Sequence, residues 1–286
     1  MSLVRVDQLL KMAQDNNTAI IAFICIDYNM VKSVIRAAEI NQKPAIVMLL
    51  PEHVTKNQAP DMHSFVAMTK HLALNSEAVI ALHLDHSYEE RQIHEAIQAG
   101  FTSVMFDASK EDLDTNIRRV REVVAYAHSK NVVVEAELGA VGLAKEMVSQ
   151  RADYYTDPDA VAYFVQETRV DSLAIAIGNA HGDYPLPPKL DFERLNEIQQ
   201  VTKIPLVLHG GSGIPEDQLE RAFSHGIRKF NYGTDVLNCY DDAIRRYHNM
   251  RQPSQSLDLL GIPEFVQNQM VKLIGKKMEL CQILSE

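Results

Sequence analysis

Pro205-Leu-Val-Leu-His-Gly-Gly-Ser-Gly213 is the stretch on which the rest of the chain is read. An apolar run behind a proline stops at an imidazole, and three glycines and a serine follow within four positions. A short, continuous run of Val and Leu reads as a strand covered on both faces. The glycines let backbone N–H groups come close to an anion, as phosphate-cradling loops require. Two other segments repeat the theme of an apolar strand running into His: Ala81-Leu-His-Leu-Asp-His-Ser87 and Ala174-Ile-Ala-Ile-Gly-Asn-Ala-His-Gly182.

Outward from these segments, the same alternation fills the chain. Strand-like runs fall near Ala19–Cys25, Pro44–Leu50, Ala78–Asp85, Ser103–Asp107, Val132–Leu138, Ser172–Gly178, Pro205–His209 and Arg228–Tyr232. Helix-like stretches with apolar spacing of three and four lie between them, at Val31–Ile40, Glu89–Ala99, Leu113–His128, Ala160–Thr168, Phe192–Val201 and Glu216–His225. Asp157-Pro158 and Ile214-Pro215 are start signals, Asp112 and Asp191 can cap, and Gly100 and Gly226 sit where helices stop. Eight strands alternating with helices predict an α/β fold, a (β/α)8 TIM barrel with additional C-terminal helices from about Leu257. An open doubly wound sheet fits less well, because the polar residues of interest end many strands instead of marking one switch point. Asn249–Ser256 reads as a connection, no linker splits the body, and residues 1–286 are expected to form one domain.

Bulk properties narrow the function. A hydrophobic content of 46% and a charged content of 23% are those of a globular protein. A formal charge of −10 argues against nucleic acid or an anionic membrane as partner. No run is long enough to cross a bilayer, and Met1–Leu10 lacks a signal-type apolar core. Cys25, Cys239 and Cys281 are too few and too scattered for a disulfide framework, so a cytoplasmic location is expected.

In a barrel, strand ends converge on one face, where active sites are built. Asp85 and His86 follow strand three, Asp107 ends strand four, Glu137 ends strand five, and His181 follows strand six; His209 and Asn231 end strands seven and eight. Three imidazoles on one rim that leave a position open suit a catalytic zinc site. Asp85 beside such a metal can exchange protons or orient a ligand. His83 shares the face of Asp85 and reads as a core or supporting residue; the other histidines, His53 among them, read as solvated. Gly210–Gly213 form one half of a phosphate nest, and Gly233 and Thr234, opening a helix after strand eight, form the other.

Taken together these residues resemble the class II, zinc-dependent ketose-bisphosphate aldolases, in the branch of the fructose- and tagatose-bisphosphate enzymes. His83-Leu-Asp-His86, Val134-Glu-Ala-Glu-Leu-Gly139, Tyr155-Thr-Asp-Pro158, Ala176-Ile-Gly-Asn-Ala-His-Gly182, Leu206-Val-Leu-His-Gly-Gly-Ser-Gly213 and Lys229-Phe-Asn231 match the family's blocks in order and spacing. The resemblance implies zinc on His86, His181 and His209, with Glu137 an alternate ligand. It implies that Asp85 exchanges a proton with the C4 hydroxyl as the C3–C4 bond breaks. Gly182, Gly210, Gly211, Ser212, Asn231, Tyr232, Gly233 and Thr234 would hold the dihydroxyacetone-phosphate half of a phosphorylated ketose. It also implies a monovalent cation, Na+ or K+, near the phosphate, and a homodimer or homotetramer.

Departures from the family pattern carry information too. Ala22-Phe23-Ile24 stands where the family has Ala-Phe-Asn, Leu50 where it has a phosphate-gripping serine, and Gly233 and Leu237 where the fructose enzymes have Asp and Arg. A far phosphate facing two leucines would lose charge-assisted hydrogen bonds worth about 1.5–3 kcal/mol each. The sequence therefore predicts a ketose 1-phosphate substrate with an unusual aldehyde half, ahead of tagatose or fructose 1,6-bisphosphate. In the loop after strand five, Gly142-Leu-Ala-Lys-Glu-Met147 replaces the family's acidic cluster, and Glu146 is the candidate base for the donor carbon. Two other readings compete. A metal-dependent hydrolase would tend to carry paired histidines on strand one, where Ile20–Cys25 has none; a non-catalytic companion would not need Asp85 beside three intact ligands.

Overall fold

The computed structural model describes residues 3–144, 154–250 and 259–283. Eight parallel strands close into a barrel in chain order: β1 (Ile20–Ile24), β2 (Ala45–Leu49), β3 (Ile80–Ser87), β4 (Ser103–Phe106), β5 (Val133–Leu138), β6 (Ser172–Ile175), β7 (Leu206–Leu208) and β8 (Ile227–Tyr232). Around it run α1 (Val6–Asp15), α2 (Tyr28–Asn41), the short α3 (Pro51–Thr55), α4 (Met62–Leu74), α5 (Glu90–Ala99), α6 (Leu113–Ser129), α7 (Pro158–Thr168), α8 (Phe192–Val201), α9 (Glu216–Ser224) and α10 (Thr234–Asn249). The (β/α)8 expectation holds. Every strand is buried along its whole length, as parallel strands under a helical layer must be.

The start and stop signals act as read. Asp112 and Asp191 accept N–H bonds from Thr115 and Arg194 at 2.9 and 3.0 Å, and Gly100 ends α5 in a left-handed conformation. Strand six is shorter than its apolar run suggests. The Thr156 hydroxyl takes the Ala176 N–H and the Asn179 side chain takes the Ile177 N–H, both at 2.8 Å, so side chains replace the ladder. Beyond the barrel, one helix, α11 (Gly261–Met278), stands among the described residues of the C-terminal part. It packs on the barrel's own helices: Gln267 donates to Asn29 and Arg36 to Asn268, while Val266, Met270, Ile274 and Met278 are buried at helical spacing.

Inside the barrel, alternation along the strands brings polar groups inward. Met105, Ala174 and Val207 form a small apolar cluster of their own. On the same faces, two residues away, lie Ser103 and Asp107, Ser172, and His209. Glu135 and Lys229 are buried in the same interior.

Candidate active site

Strand ends assemble the site. His86 follows Asp85 on β3, where the pairing with β4 slips between Leu84 and Ser87 and the His86 backbone takes φ 32°. A bulge and a left-handed residue together re-aim a side chain at a strand end. His86 Nδ1 lies 3.0 Å from Asp107 Oδ2. A carboxylate only accepts, so the proton sits on Nδ1 and the Nε2 lone pair faces away from it. That Nε2 is 2.8 Å from His209 Nδ1. His181 completes the group, its ring centre 4.9 Å from that of His86 and 5.7 Å from that of His209. One nitrogen from each of the three imidazoles lies within 4.8 Å of the other two, so the sequence-predicted ligands share one centre.

Burial pulls the three imidazoles toward neutrality, and their neighbours decide the outcome. His181 falls to about 4 through burial and the nearby His86 charge, and His209 falls well below its ordinary value for the same two reasons. At His86 burial is outweighed by Asp85 and by the Asp107 hydrogen bond, and the value rises to about 9. Imidazoles converging on one point, His181 and His209 kept neutral by burial and carboxylates close by, form a donor set that suits zinc once the extra proton of His86 is displaced. The residues present fit a metal.

A cavity of about 310 Å³ opens beside them. One wall carries Gly182, Gly210, Gly211, Ser212, Asn231, Gly233 and Thr234 together with Asp85, His86 and His181. The N–H groups of Gly233 and Thr234 stand at the start of α10, where first-turn amides have no partner within the helix. The Ser212 hydroxyl oxygen accepts the Asp235 N–H at 3.0 Å, which leaves its own proton free to donate. Gly211 contributes differently from expectation. Its N–H already donates to the Asn231 carbonyl at 3.1 Å, fastening the nest to β8. A Cβ at Gly211 would lie 1.8 Å from the buried ring of Phe230. Gly211→Ala is therefore expected to destabilise the protein by about 3 kcal/mol through overpacking, a fall of roughly 6–12 °C in Tm that a melting curve will show.

The rest of the lining is largely apolar, with Ile24, Met48, Leu50 and Leu237 joined by Glu52 and His53. His53, expected to be solvated, is half-buried on α3; its Nδ1 is buried with no hydrogen-bond partner among the described residues, and burial lowers its pKa. One other expectation needs correcting. The Tyr232 side chain does not line the cavity: on β8 it alternates with Asn231, and its ring packs edge-on against Phe23, 6.1 Å between centres. Glu137 lies in an adjoining cavity of about 630 Å³ beside Asp107, its carboxyl raised to about 8 by burial and that neighbour. Ser109 and the Val141 N–H both donate to one of its oxygens, and the other has no partner among the described residues. It also stands close enough to His86 and Asp107 to share a cation with them.

Asp85 is held by Asn231, whose Nδ2 donates to its Oδ1 at 3.1 Å. Glu146 lies outside the described residues; ahead of it in the chain, Ala144 N–H donates to the His181 carbonyl and His181 N–H to the Gly142 carbonyl, both at 2.8 Å. The supporting roles of Asp107, Glu135 and Lys229 were not assigned from the sequence. The signal was there for the last two, since each stands two residues from an assigned site residue, Glu137 or Asn231, and so shares its face of the strand.

A closed barrel with this metal-competent rim and this nest defines a (β/α)8 enzyme. The sequence model described as "Fructose-bisphosphate aldolase class-II" matches residues 4–284, and the chain belongs to that family of lyases. A fructose-bisphosphate aldolase of Geobacillus stearothermophilus is 38% identical over 250 residues, 86% of this chain and 85% of the relative. A 6-phospho-5-dehydro-2-deoxy-D-gluconate aldolase of Halalkalibacterium halodurans is 37% identical over 247 residues, with the same coverage of 86% and 85%. Among solved structures, the YdjI aldolase of Escherichia coli K12 superposes with a TM-score of 0.86 at 30% identity, covering 98% of both chains. Among the described residues no helix is long and apolar enough to cross a membrane.

Proposed function

We propose that the protein is a zinc-dependent aldolase that cleaves a ketose 1-phosphate reversibly to dihydroxyacetone phosphate and an unphosphorylated aldehyde. One observation carries this reading: the cavity that holds the anion nest is otherwise lined largely by apolar side chains, Leu50, Leu237, Ile24 and Met48. The two curated relatives are nearly equal in identity yet bear different substrate names, so overall similarity does not choose the aldehyde.

His86, His181 and His209 would hold the zinc, with Glu137 in reserve. When bound, zinc supplies a Lewis acid for the C2 carbonyl and positive charge for the donor fragment. Ser212 and the amides of Gly182, Gly210, Gly233 and Thr234 orient the 1-phosphate at the α10 terminus. Asp85 removes the C4 hydroxyl proton as C3–C4 breaks, and Asn231 keeps its carboxylate aimed. Glu146 returns a proton to the donor carbon. The unit is one domain over residues 1–286, a cytoplasmic homodimer or homotetramer with a monovalent cation beside the phosphate.

A cleavage screen of ketose 1-phosphates and 1,6-bisphosphates with zinc present tests the reading; a clear preference for the bisphosphates sinks it. In the same screen Leu50→Ser is expected to improve kcat/KM for a bisphosphate by about tenfold, since one new hydrogen bond to a charged group is worth about 1.5–3 kcal/mol. No gain would mean that the wall does not face the far end of the sugar.

A further inference from the structure

We infer that Glu135 and Lys229 are positioning residues that fix which nitrogen His209 offers to the metal; the inference rests on the metal site proposed above. Glu135 Oε1 lies 2.9 Å from His209 Nε2, closer than the Asn231 amide nitrogen at 3.2 Å, which donates to Asp85. A carboxylate cannot donate, so the His209 proton sits on Nε2 and the lone pair on Nδ1, the nitrogen that faces His86. Lys229 holds the carboxylate in place, its Nζ 3.1 Å from Oε1 and 3.0 Å from Oε2. Ser172 adds a longer contact of 3.4 Å to Oε2.

Stability alone does not account for the pair. Both side chains are essentially inaccessible to water, at 1% and 0% exposure, where two ions lose hydration that their attraction need not return. Apolar side chains fill the neighbouring interior without difficulty. What the pair provides is a fixed acceptor under His209 with its charge balanced. A second metal on the cluster of His83, Asp85 and Glu135 is disfavoured, because the Lys229 ammonium already occupies the Glu135 carboxylate.

Two variants and one spectrum test this. Glu135→Gln introduces an amide that can donate to Nε2 and so permits the other tautomer. The double variant Glu135→Leu/Lys229→Met removes the pair without leaving a lone buried charge. Each is expected to bind zinc about 10–100-fold more weakly in competition with a chromogenic chelator, with an altered visible spectrum when loaded with cobalt(II). Melting curves of the metal-free proteins report folding separately. Nitrogen NMR of histidine-labelled, zinc-loaded wild-type protein should show a protonated Nε2 and a coordinated Nδ1 at His209. Folded variants with zinc affinity within twofold of wild type overturn the inference, as does a wild-type spectrum with Nε2 on the metal. If neither variant folds, that spectrum decides. Wild-type protein that binds no zinc removes the proposed function as well, whereas normal binding with unaffected variants removes only this role.

Discussion

His209→Ala is expected to lower retro-aldol turnover by at least about 10³-fold while the barrel remains folded, because a metal at this site supplies several kcal/mol of charge stabilisation. His209 is the informative ligand to remove. It is fully buried and does not line the cavity, so its loss alters no wall that a sugar would touch. The lost imidazole leaves Glu135 still bonded to Lys229 and Ser172, and the His209 carbonyl still accepts from Asn179. Unsatisfied groups should cost about 1–3 kcal/mol of stability, which circular dichroism and melting will register. Metal analysis should find the variant depleted of zinc. Wild-type enzyme treated with a chelator should lose activity to a similar extent and recover it with added zinc. A folded variant that keeps a tenth of the wild-type turnover would show that the three imidazoles are not the working centre.

That centre was legible because its residues lie where strands stop. Apolar runs ending in His86, His181 and His209 gave both the barrel and the candidate ligands, since in a barrel every strand end points to the same face. Helix caps at Asp112 and Asp191 were legible for a local reason, a side chain three residues from the amide it bonds. What was not legible depends on three dimensions. The backbone turn at His86 follows from a slip between neighbouring strands, and no spacing in one strand reports it. His53 approaches the cavity only because the short α3 folds back after Pro51, so its surroundings are not set by its sequence neighbours. The family resemblance groups Tyr232 with Asn231, whereas alternation along β8 sends the two side chains to opposite faces. Glu135 and Lys229 fall between these cases: their inward placement is implied by sharing a strand face with Glu137 and Asn231, but their meeting across the interior is not.

Asp85→Asn is expected to reduce kcat by about 10²–10⁴-fold, the range for losing a positioned general acid–base group. The replacement is nearly isosteric and keeps an acceptor for the Asn231 amide, which donates to Asp85 Oδ1 at 3.1 Å, so the pocket should hold its shape. What disappears is the capacity to take a proton from the C4 hydroxyl. KM for a ketose 1-phosphate should therefore change only a few-fold, because uniform binding is not lost when a group acts only in the transition state. Partial reactions separate this role from a supporting one. Exchange of the donor-carbon proton of dihydroxyacetone phosphate with solvent involves no C4 hydroxyl and belongs to a different base, so it should continue near the wild-type rate. If exchange and cleavage fall together, Asp85 instead supports the imidazole cluster, whose three members all feel its charge. A loss of cleavage smaller than tenfold would assign the C4 proton to another group.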